Sequence, residues 1–143
     1  MRFIFFMVFL FSFFVFRFVN ADELKTPDDF LYVKDEKWYE VLHKVVNVDL
    51  RSVNLQEALS YIAKGTGVNI CFSFFRDEDM NVDDFEAKEK EIEKKIDLVF
   101  DKVRVIDLIW YLCKKYNLSA DWCYVTEEQK QNGRPQSIRL IKN

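Results

Sequence analysis

The chain carries an internal repeat with a period of fifty residues. When the second half is laid on the first without a gap, apolar residues coincide along two stretches, 46–72 and 96–122. Each stretch has an alternating strand pattern, then a helical pattern, then a second strand pattern. Such self-similarity constrains the fold, because each unit must bury its apolar face against a neighbour. The sequence therefore predicts an α+β fold of two β-α-β units, at about 46–74 and 96–125.

The ends of the two predicted helices support this repeat. Asn54 precedes the first helix and Glu57 follows three residues later, which is the spacing of a capping box. Gly67 is expected to end this helix, because glycine adopts the left-handed backbone conformation without steric cost. Asn117, the next most tolerant residue type, takes the equivalent place in the second half. The two helices therefore share the chemistry of their C-terminal caps as well as their apolar pattern.

The first 21 residues have the features of a secretory signal peptide. Arg2 precedes an apolar run from Phe3 to Phe16, and small residues lead to a cleavage point between Ala21 and Asp22. The run of about 14 residues is shorter than the ~20 needed to span a bilayer. We therefore expect a periplasmic protein with no stable membrane span after cleavage. The alternative is an uncleaved leader that anchors the chain in the inner membrane.

Charge and cysteine content bound the function of the remaining chain. Arg2 and Arg17 are the only charges of the leader, so 19 of the 21 basic residues remain against 24 acidic ones, a net charge near −5. An acidic exported protein is a poor candidate for binding nucleic acid or anionic membranes. The three cysteines, Cys71, Cys113 and Cys123, are odd in number and widely spaced. They are read as free or core thiols, or as one disulfide with one thiol left over.

Two polar segments flank or interrupt the units. In the N-terminal segment, 22–45, a helix-start signal at Thr26 and Pro27 precedes an amphipathic helix at about 35–44. This helix is expected to lie against the repeat core, or to dock a partner. An acidic insertion, 76–95, separates the units and ends in a mixed-charge run typical of an exposed helix. It lacks the glycine and the spaced ligands of a calcium loop.

The chain after the second unit predicts a hairpin. The segment 126–135 contains the pair Asn132-Gly133, which is a common turn signal. A last strand at 137–141 is then expected to pair back on residues 122–125.

Residues from Val48 to Ile70 resemble a known family. A strand, a polar turn, Leu-x-x-Ala-Leu on a helix and a Thr-Gly step into the next strand are similar to the secretin and TonB short N-terminal domain. The residues that carry the resemblance are Leu55, Ala58, Leu59, Thr66, Gly67 and Asn69. The second unit resembles the family's second repeat, with Val-Ile-Asp-Leu-Ile at 105–109 in place of Leu-x-x-Ala-Leu. The resemblance covers about 46–141.

This resemblance implies a non-enzymatic module that binds other proteins in the periplasm, in front of an outer-membrane secretin pore or a TonB-dependent receptor. We expect no pore-forming or barrel-forming region after Asn143, and therefore an accessory to such an assembly. The long insertion at 76–95 departs from the family pattern. The expected partner is an envelope protein, bound at an exposed strand edge whose backbone groups are unpaired.

No recognisable catalytic set accompanies this fold pattern. His43 is the only histidine, and it lies on the predicted first helix with no nucleophile motif nearby. The run Lys-Gly-Thr-Gly at 64–67 lacks the spacing of a phosphate loop. The sequence thus predicts no catalytic, cofactor or metal site. Two other functions stay open: a small envelope hydrolase that uses carboxylates of 76–95, and a structural subunit that self-associates.

Overall fold

The computed structural model describes residues 24–75 and 82–143. The predicted cleavage point between Ala21 and Asp22 lies outside these residues, as does part of the acidic insertion. Within the described ranges the chain has five α-helices, one short 3-10 helix and five strands, the mixed α+β arrangement that was predicted. None of these helices has the length and apolar character needed to cross a membrane.

The elements follow one another along the chain as helix and strand in alternation. In order, they are α1 (Glu36–His43), β1 (Val45–Val53), α2 (Leu55–Thr66), β2 (Ile70–Ser73), the 3-10 helix (Val82–Asp84), α3 (Phe85–Glu93), β3 (Ile96–Arg104), α4 (Val105–Tyr116), β4 (Leu118–Cys123), α5 (Glu127–Gln131) and β5 (Ser137–Lys142). The strand–helix–strand order β1-α2-β2 therefore recurs as β3-α4-β4.

Strands β1 and β3 form a two-stranded antiparallel ribbon. Val48 lies opposite Phe100 and Leu50 lies opposite Leu98. Residues fifty positions apart thus exchange places across the ribbon, which is the pairing expected of two equivalent strands related by a local two-fold axis. Val48, Leu98 and Phe100 are all buried, so the ribbon covers the core with one face.

Each strand of the ribbon contains a bulge stabilised by the other strand. Ser52 and Lys102 have positive φ angles of 54° and 55°, a conformation that is unfavourable for residues other than glycine. The Ser52 N–H donates to Asp97 Oδ1 at 2.8 Å, and the Lys102 N–H donates to Asn47 Oδ1 at 2.8 Å. Both donors and both acceptors are fifty residues apart. These hydrogen bonds offset the backbone strain in the same way at both places.

The second sheet has three strands, with β5 between β2 and β4. β5 runs parallel to β2 and antiparallel to β4. Its pairing with β4 extends from Leu118 opposite Lys142 to Cys123 opposite Ser137, so the partner strand begins before the predicted stretch at 122–125. The connection expected to be an Asn-Gly turn instead contains helix α5, whose first turn is capped by Thr126.

Helix α4 lies at the centre of the core. Eight of its twelve residues are buried, against four of the twelve residues of α2. It contacts the ribbon through β3, the three-stranded sheet through β4, and the helices α1 and α2. A helix that is apolar on most sides needs such cover from several neighbours. The difference between α2 and α4 shows that one side of the first unit is less covered than the same side of the second.

The N-terminal segment contributes more to the core than the sequence indicated. Leu42 of α1 is fully buried, and Leu31 before the helix is 7% exposed. Helix α1 begins at Glu36, with Asp35 as its N-cap, close to the predicted start. The earlier helix-start signal is wrong, because residues 28–31 form a turn. The hydroxyl of Thr26 donates to Asp107 Oδ1 at 2.7 Å instead of capping a helix.

Each of the two units is also preceded by a helix in an equivalent position. Helix α1 packs on α4, and α3 packs on α2. The two helices lie fifty residues apart, and the buried Leu42 of α1 corresponds to Ile92 of α3, which packs against the core. Leu42 and Ile92 are the only positions at which α1 and α3 both carry an apolar residue at this spacing. The apolar coincidences in the sequence therefore become regular only from the first strands onward. The described part of the insertion thus repeats the position of α1.

Candidate functional site: a groove between α2 and α3

The residues that carry the family resemblance have structural roles. Leu55, Ala58 and Leu59 lie on the buried side of α2. Ahead of them, the Asn54 side chain accepts from the Glu57 N–H, and the Glu57 carboxylate accepts from the Asn54 N–H, which completes the predicted capping box. These residues fix where α2 begins and which face it turns to the core.

The end of α2 also forms as predicted. Gly67 has the left-handed conformation, with φ 74°, and its N–H donates to the Ala63 carbonyl. The Thr66 hydroxyl donates to the Ile62 carbonyl at 2.6 Å, and the Asn69 carbonyl accepts from the Ile138 N–H at 2.9 Å. The Thr-Gly step therefore delivers the chain from α2 to its place beside β5 and presents no free functional group of its own.

An open groove runs between α2 and α3. Its volume is about 610 Å³. Strand β2 forms part of its floor. Most of the lining side chains in the described part of the chain are apolar, and the charged ones there are glutamates. The lining residues are Asn54, Leu55, Gln56, Leu59, Ser60, Ala63, Ile70, Phe72, Phe74, Glu89, Ile92 and Glu93. Glu89 and Glu93 come from consecutive turns of α3 and are exposed. An apolar groove with polar groups at its rim is the common form of a binding site.

The groove exists because α3 has small or charged side chains where α1 has aromatic and apolar ones. Trp38 of α1 corresponds to Lys88 of α3, and Tyr39 corresponds to Glu89. Trp38 packs edge-on against Trp122 at 4.9 Å between ring centroids, and its indole N–H donates to the Pro135 carbonyl. Lysine and glutamate cannot fill the equivalent space with apolar surface. Helix α3 has no fully buried residue, and the α2–α3 groove remains open.

A smaller cleft occupies the equivalent place in the second unit. Its volume is about 210 Å³. Tyr39, His43, Arg104 and Ile106 line it, and each of these residues is fifty positions from a lining residue of the α2–α3 groove. The remaining lining residues of this α1–α4 cleft belong to the segment 26–33. The chain's own N-terminal segment therefore covers the side of α4 that corresponds to the open side of α2.

Contacts of the N-terminal segment show how such a groove is filled. The ring of Phe30 packs edge-on against Trp110 at 4.8 Å, and Trp110 corresponds to Ser60 in the open groove. The Tyr32 carbonyl accepts from the Trp122 indole N–H at 2.9 Å, and Trp122 corresponds to Phe72. A short non-helical segment with large apolar side chains thus seals the second unit.

Helix α3 is anchored where it forms the wall of the groove. The Lys142 ammonium, 1% exposed, forms an ion pair with Glu91 at 2.5 Å. The Lys88 ammonium donates to the Lys142 carbonyl at 3.4 Å and lies 4.7 Å from the centroid of the Phe75 ring. These contacts attach the middle of α3 to the end of β5. They hold the exposed wall in place although the helix buries little apolar surface.

The C-terminal end of α3 is held by a buried tyrosine. The hydroxyl of Tyr116, which is 2% exposed, donates to the Lys94 carbonyl at 2.6 Å. Burial raises the pKa of Tyr116 to about 12, with smaller contributions from Glu57 and Tyr111. The hydroxyl therefore stays protonated and keeps donating up to strongly alkaline pH.

The cysteines lie apart from one another. Cys113 is buried on α4, and burial raises its pKa to about 12. Cys71 and Cys123 lie on β2 and β4, which flank β5 on opposite sides. Two strand spacings, roughly 9.6 Å, separate those strands, more than the ~7 Å between Cα atoms that a disulfide tolerates. All three are free thiols, so the alternative of one bridge is not realised.

Residues considered for chemistry are dispersed in the described part of the chain. The ring of His43 stacks on Tyr39 at 4.0 Å and its Nδ1 lies 2.9 Å from the Tyr39 carbonyl, as a helix-surface histidine would. Over residues 24–75 and 82–143, no three His, Cys, Asp or Glu side chains come close enough to hold a metal ion. Glu89 and Glu93 are the carboxylates of the α2–α3 groove lining, and both are exposed.

Comparison with protein-family models, with curated proteins and with solved structures gives no match. The similarity to the secretin and TonB short N-terminal domain therefore stays a prediction from the sequence. The candidate site depends on the geometry of the α2–α3 groove alone.

The acidic character of 76–95 was predicted from the sequence, but the groove beside this segment was not. The fifty-residue spacing of Leu42 and Ile92, and of Lys44 and Lys94, could have indicated that α1 and α3 are equivalent. In the structure, Lys44 and Lys94 are both helix C-caps with nearly equal backbone angles. Extending the comparison back to these positions aligns α1 with α3. The substitution of aromatic residues by charged ones then indicates the less covered unit.

Proposed function

We propose that the protein is a non-enzymatic interaction module of the bacterial envelope that binds another protein in the α2–α3 groove. The observation that carries the proposal is an apolar groove of about 610 Å³ whose equivalent in the second unit is covered by a segment of polypeptide. Because equivalent residues line the α2–α3 groove and the α1–α4 cleft, a polypeptide segment is a suitable ligand for the groove as well. The signal-peptide features at 1–21 support a periplasmic location, and the family resemblance supports a role as an accessory to a secretin or TonB-type assembly.

The strand edge beside the groove would add little to binding. β2 is an edge of the three-stranded sheet and has only four residues, Ile70–Ser73. A partner strand there would form few backbone hydrogen bonds. The side chains of Ile70 and Phe72 line the groove, so a partner would gain most of its affinity from apolar contacts with them.

Capture of envelope proteins with and without a blocked groove tests the proposal. Ser60→Trp places in the groove the side chain that α4 carries at the equivalent position, Trp110. The purified protein should retain a discrete partner from envelope extract, and Ser60→Trp should reduce its recovery at least about tenfold. A matched variant, Tyr61→Trp, changes a neighbouring exposed residue outside the groove lining and should leave recovery unchanged. Equal recovery with both variants would refute the groove as the binding surface.

The hydrolase alternative makes a different prediction. Its carboxylates within the described residues would be Glu89 and Glu93, which line the groove. A general acid needs a raised pKa, which burial commonly supplies, and both carboxylates are exposed. Glu89→Gln with Glu93→Gln would abolish turnover of glycan or peptide substrates by an enzyme of this kind. Turnover by the unmodified protein that this double variant loses would establish the hydrolase and overturn the interaction module.

A further inference from the structure

The N-terminal segment shows which kind of ligand the open groove fits. In the second unit, residues 26–33 lie between α1 and α4 without forming a helix. Phe30 packs on Trp110 and Leu31 is buried. The floor of the open groove is apolar at Leu59 and Ala63, and it has the small Ser60 where α4 carries Trp110. The small side chains of Ser60 and Ala63 leave space in the groove, and this space suits a ligand with bulky apolar side chains.

The charged residues around the two sites differ. In the second unit, Arg104 lies at the cleft, and its hydrogen bonds to Asp107 raise the pKa of the guanidinium, with a further contribution from the charge of Asp28 in the N-terminal segment. In the first unit, the neutral Asn54 stands where Arg104 stands in the second. Asp28 therefore has a cationic neighbour in the second unit, and Asn54 offers none to an acidic residue of a ligand in the first.

The helix that forms the opposite wall, α1 in the second unit and α3 in the first, also differs in charge between the two units. Tyr39 and His43 of α1 correspond to Glu89 and Glu93 of α3, and the groove-lining residues within 24–75 and 82–143 include no basic one. A ligand of the first unit therefore meets two carboxylates where the N-terminal segment meets two aromatic rings.

We infer that the α2–α3 groove binds a short non-helical segment of a partner protein that carries adjacent large apolar side chains preceded by lysine or arginine. The apolar side chains lie over Leu59 and Ser60, in the place that Phe30 has over Trp110. The basic side chains lie toward Glu89 and Glu93. This inference rests on the proposed function and adds the chemistry of the partner.

Binding of two matched peptides tests the inference. The first has the sequence of residues 24–33 with Asp28→Lys and Asp29→Lys, and the second has the unchanged acidic sequence. Both carry a fluorescent label, and fluorescence polarisation with the purified protein gives the two dissociation constants. At low salt the basic peptide should bind about three- to tenfold more tightly, as expected for two solvated ion pairs. The difference should shrink toward ~1 M salt, where the Debye length is about 3 Å.

Variants of the protein assign the binding to the groove. Glu89→Lys with Glu93→Lys should reverse the preference, so that the acidic peptide binds more tightly. The matched control, Glu127→Lys with Glu128→Lys on α5, adds the same charge away from the groove and should leave the preference in place. Circular dichroism should show equal folding of both. An unchanged preference in the α3 variant, or equal affinity of the two peptides, would overturn the inference.

Other occupants give distinct results. If the protein dimerises and Ser60→Trp dissociates the dimer, the occupant is a second copy of this chain and the partner inference is wrong. If neither peptide binds below ~1 mM but Ser60→Trp still removes a captured envelope protein, the ligand chemistry is wrong and the proposed function stands. If Ser60→Trp changes neither peptide binding nor capture, both proposals fail.

Discussion

The equivalence of α2 and α4 predicts different costs for truncating the same position in each helix. Leu59 and Ile109 lie fifty residues apart, and both face the core. Ile109 is fully buried, whereas Leu59 is 9% exposed and lines the α2–α3 groove. Leu59→Ala and Ile109→Ala each remove three carbon atoms. Any difference between them therefore reports on the surroundings.

The magnitudes follow from the removed atoms and from the space they leave. Three buried carbon atoms at about 0.8 kcal/mol each give about 2.4 kcal/mol of lost transfer free energy in both variants. At Ile109 the space is closed on all sides, so a cavity term raises the loss of unfolding free energy to about 4 kcal/mol. At Leu59 the space opens into the groove, water enters it, and the loss should stay near 2 kcal/mol.

Urea unfolding followed by circular dichroism measures both losses. Domains of this size unfold with about 5–15 kcal/mol, so Ile109→Ala can leave a protein close to its unfolding midpoint in water. The slope of the unfolding free energy against urea concentration should be the same for both variants, because each exposes about the same surface on unfolding. A loss below ~1 kcal/mol at Ile109, or a loss at Leu59 equal to that at Ile109, would refute the packing described for α4 and the open side of α2.

Three further outcomes follow from the same structure. A thiol reagent at pH 8 should modify the exposed Cys71 quickly and the buried Cys113 only as fast as the protein unfolds; one common rate for all thiols would contradict this. Because burial raises the pKa of Tyr116 to about 12, its contribution to stability is complete below pH 10 and is lost as pH rises toward 12, which absorbance and unfolding at alkaline pH would detect. Lys102→Gly relieves a positive φ and should raise the unfolding free energy by about 0.5 kcal/mol, whereas a decrease in urea unfolding would contradict the bulge.

Sequence reasoning succeeded where the chemistry of the chain is local. The capping box of Asn54 and Glu57 and the left-handed Gly67 depend on residues within a single turn, and each forms as predicted. These features need no knowledge of which elements meet in space.

Other features depended on long-range pairing. The central place of β5 arises from its parallel contact with β2, 68 residues earlier in the chain, where Ile70 lies opposite Ile138. The helix-start signal at Thr26 was misleading because the side chain bonds to Asp107, far along the chain. The α2–α3 groove was missed for the same reason, since Glu89 looks like an ordinary solvated residue until α3 is placed on α2.

Two copies of one structural plan can have different roles because a few side chains differ. The backbone of both units is shaped by the same features: the paired bulges, the left-handed C-caps of α2 and α4, and the helix that precedes the first strand. At the second unit, Trp38 and the N-terminal segment close the space beside α4 and contribute buried surface to stability. At the first unit, Lys88 and Glu91 bond to the end of β5 and hold α3 in position without closing the space beside α2. The apolar surface that remains there is supported on both walls, so a ligand would bind without a large ordering cost. The anchored helix α3 and the uncovered apolar surface beside α2 are the physical reason to propose the first unit as the binding site.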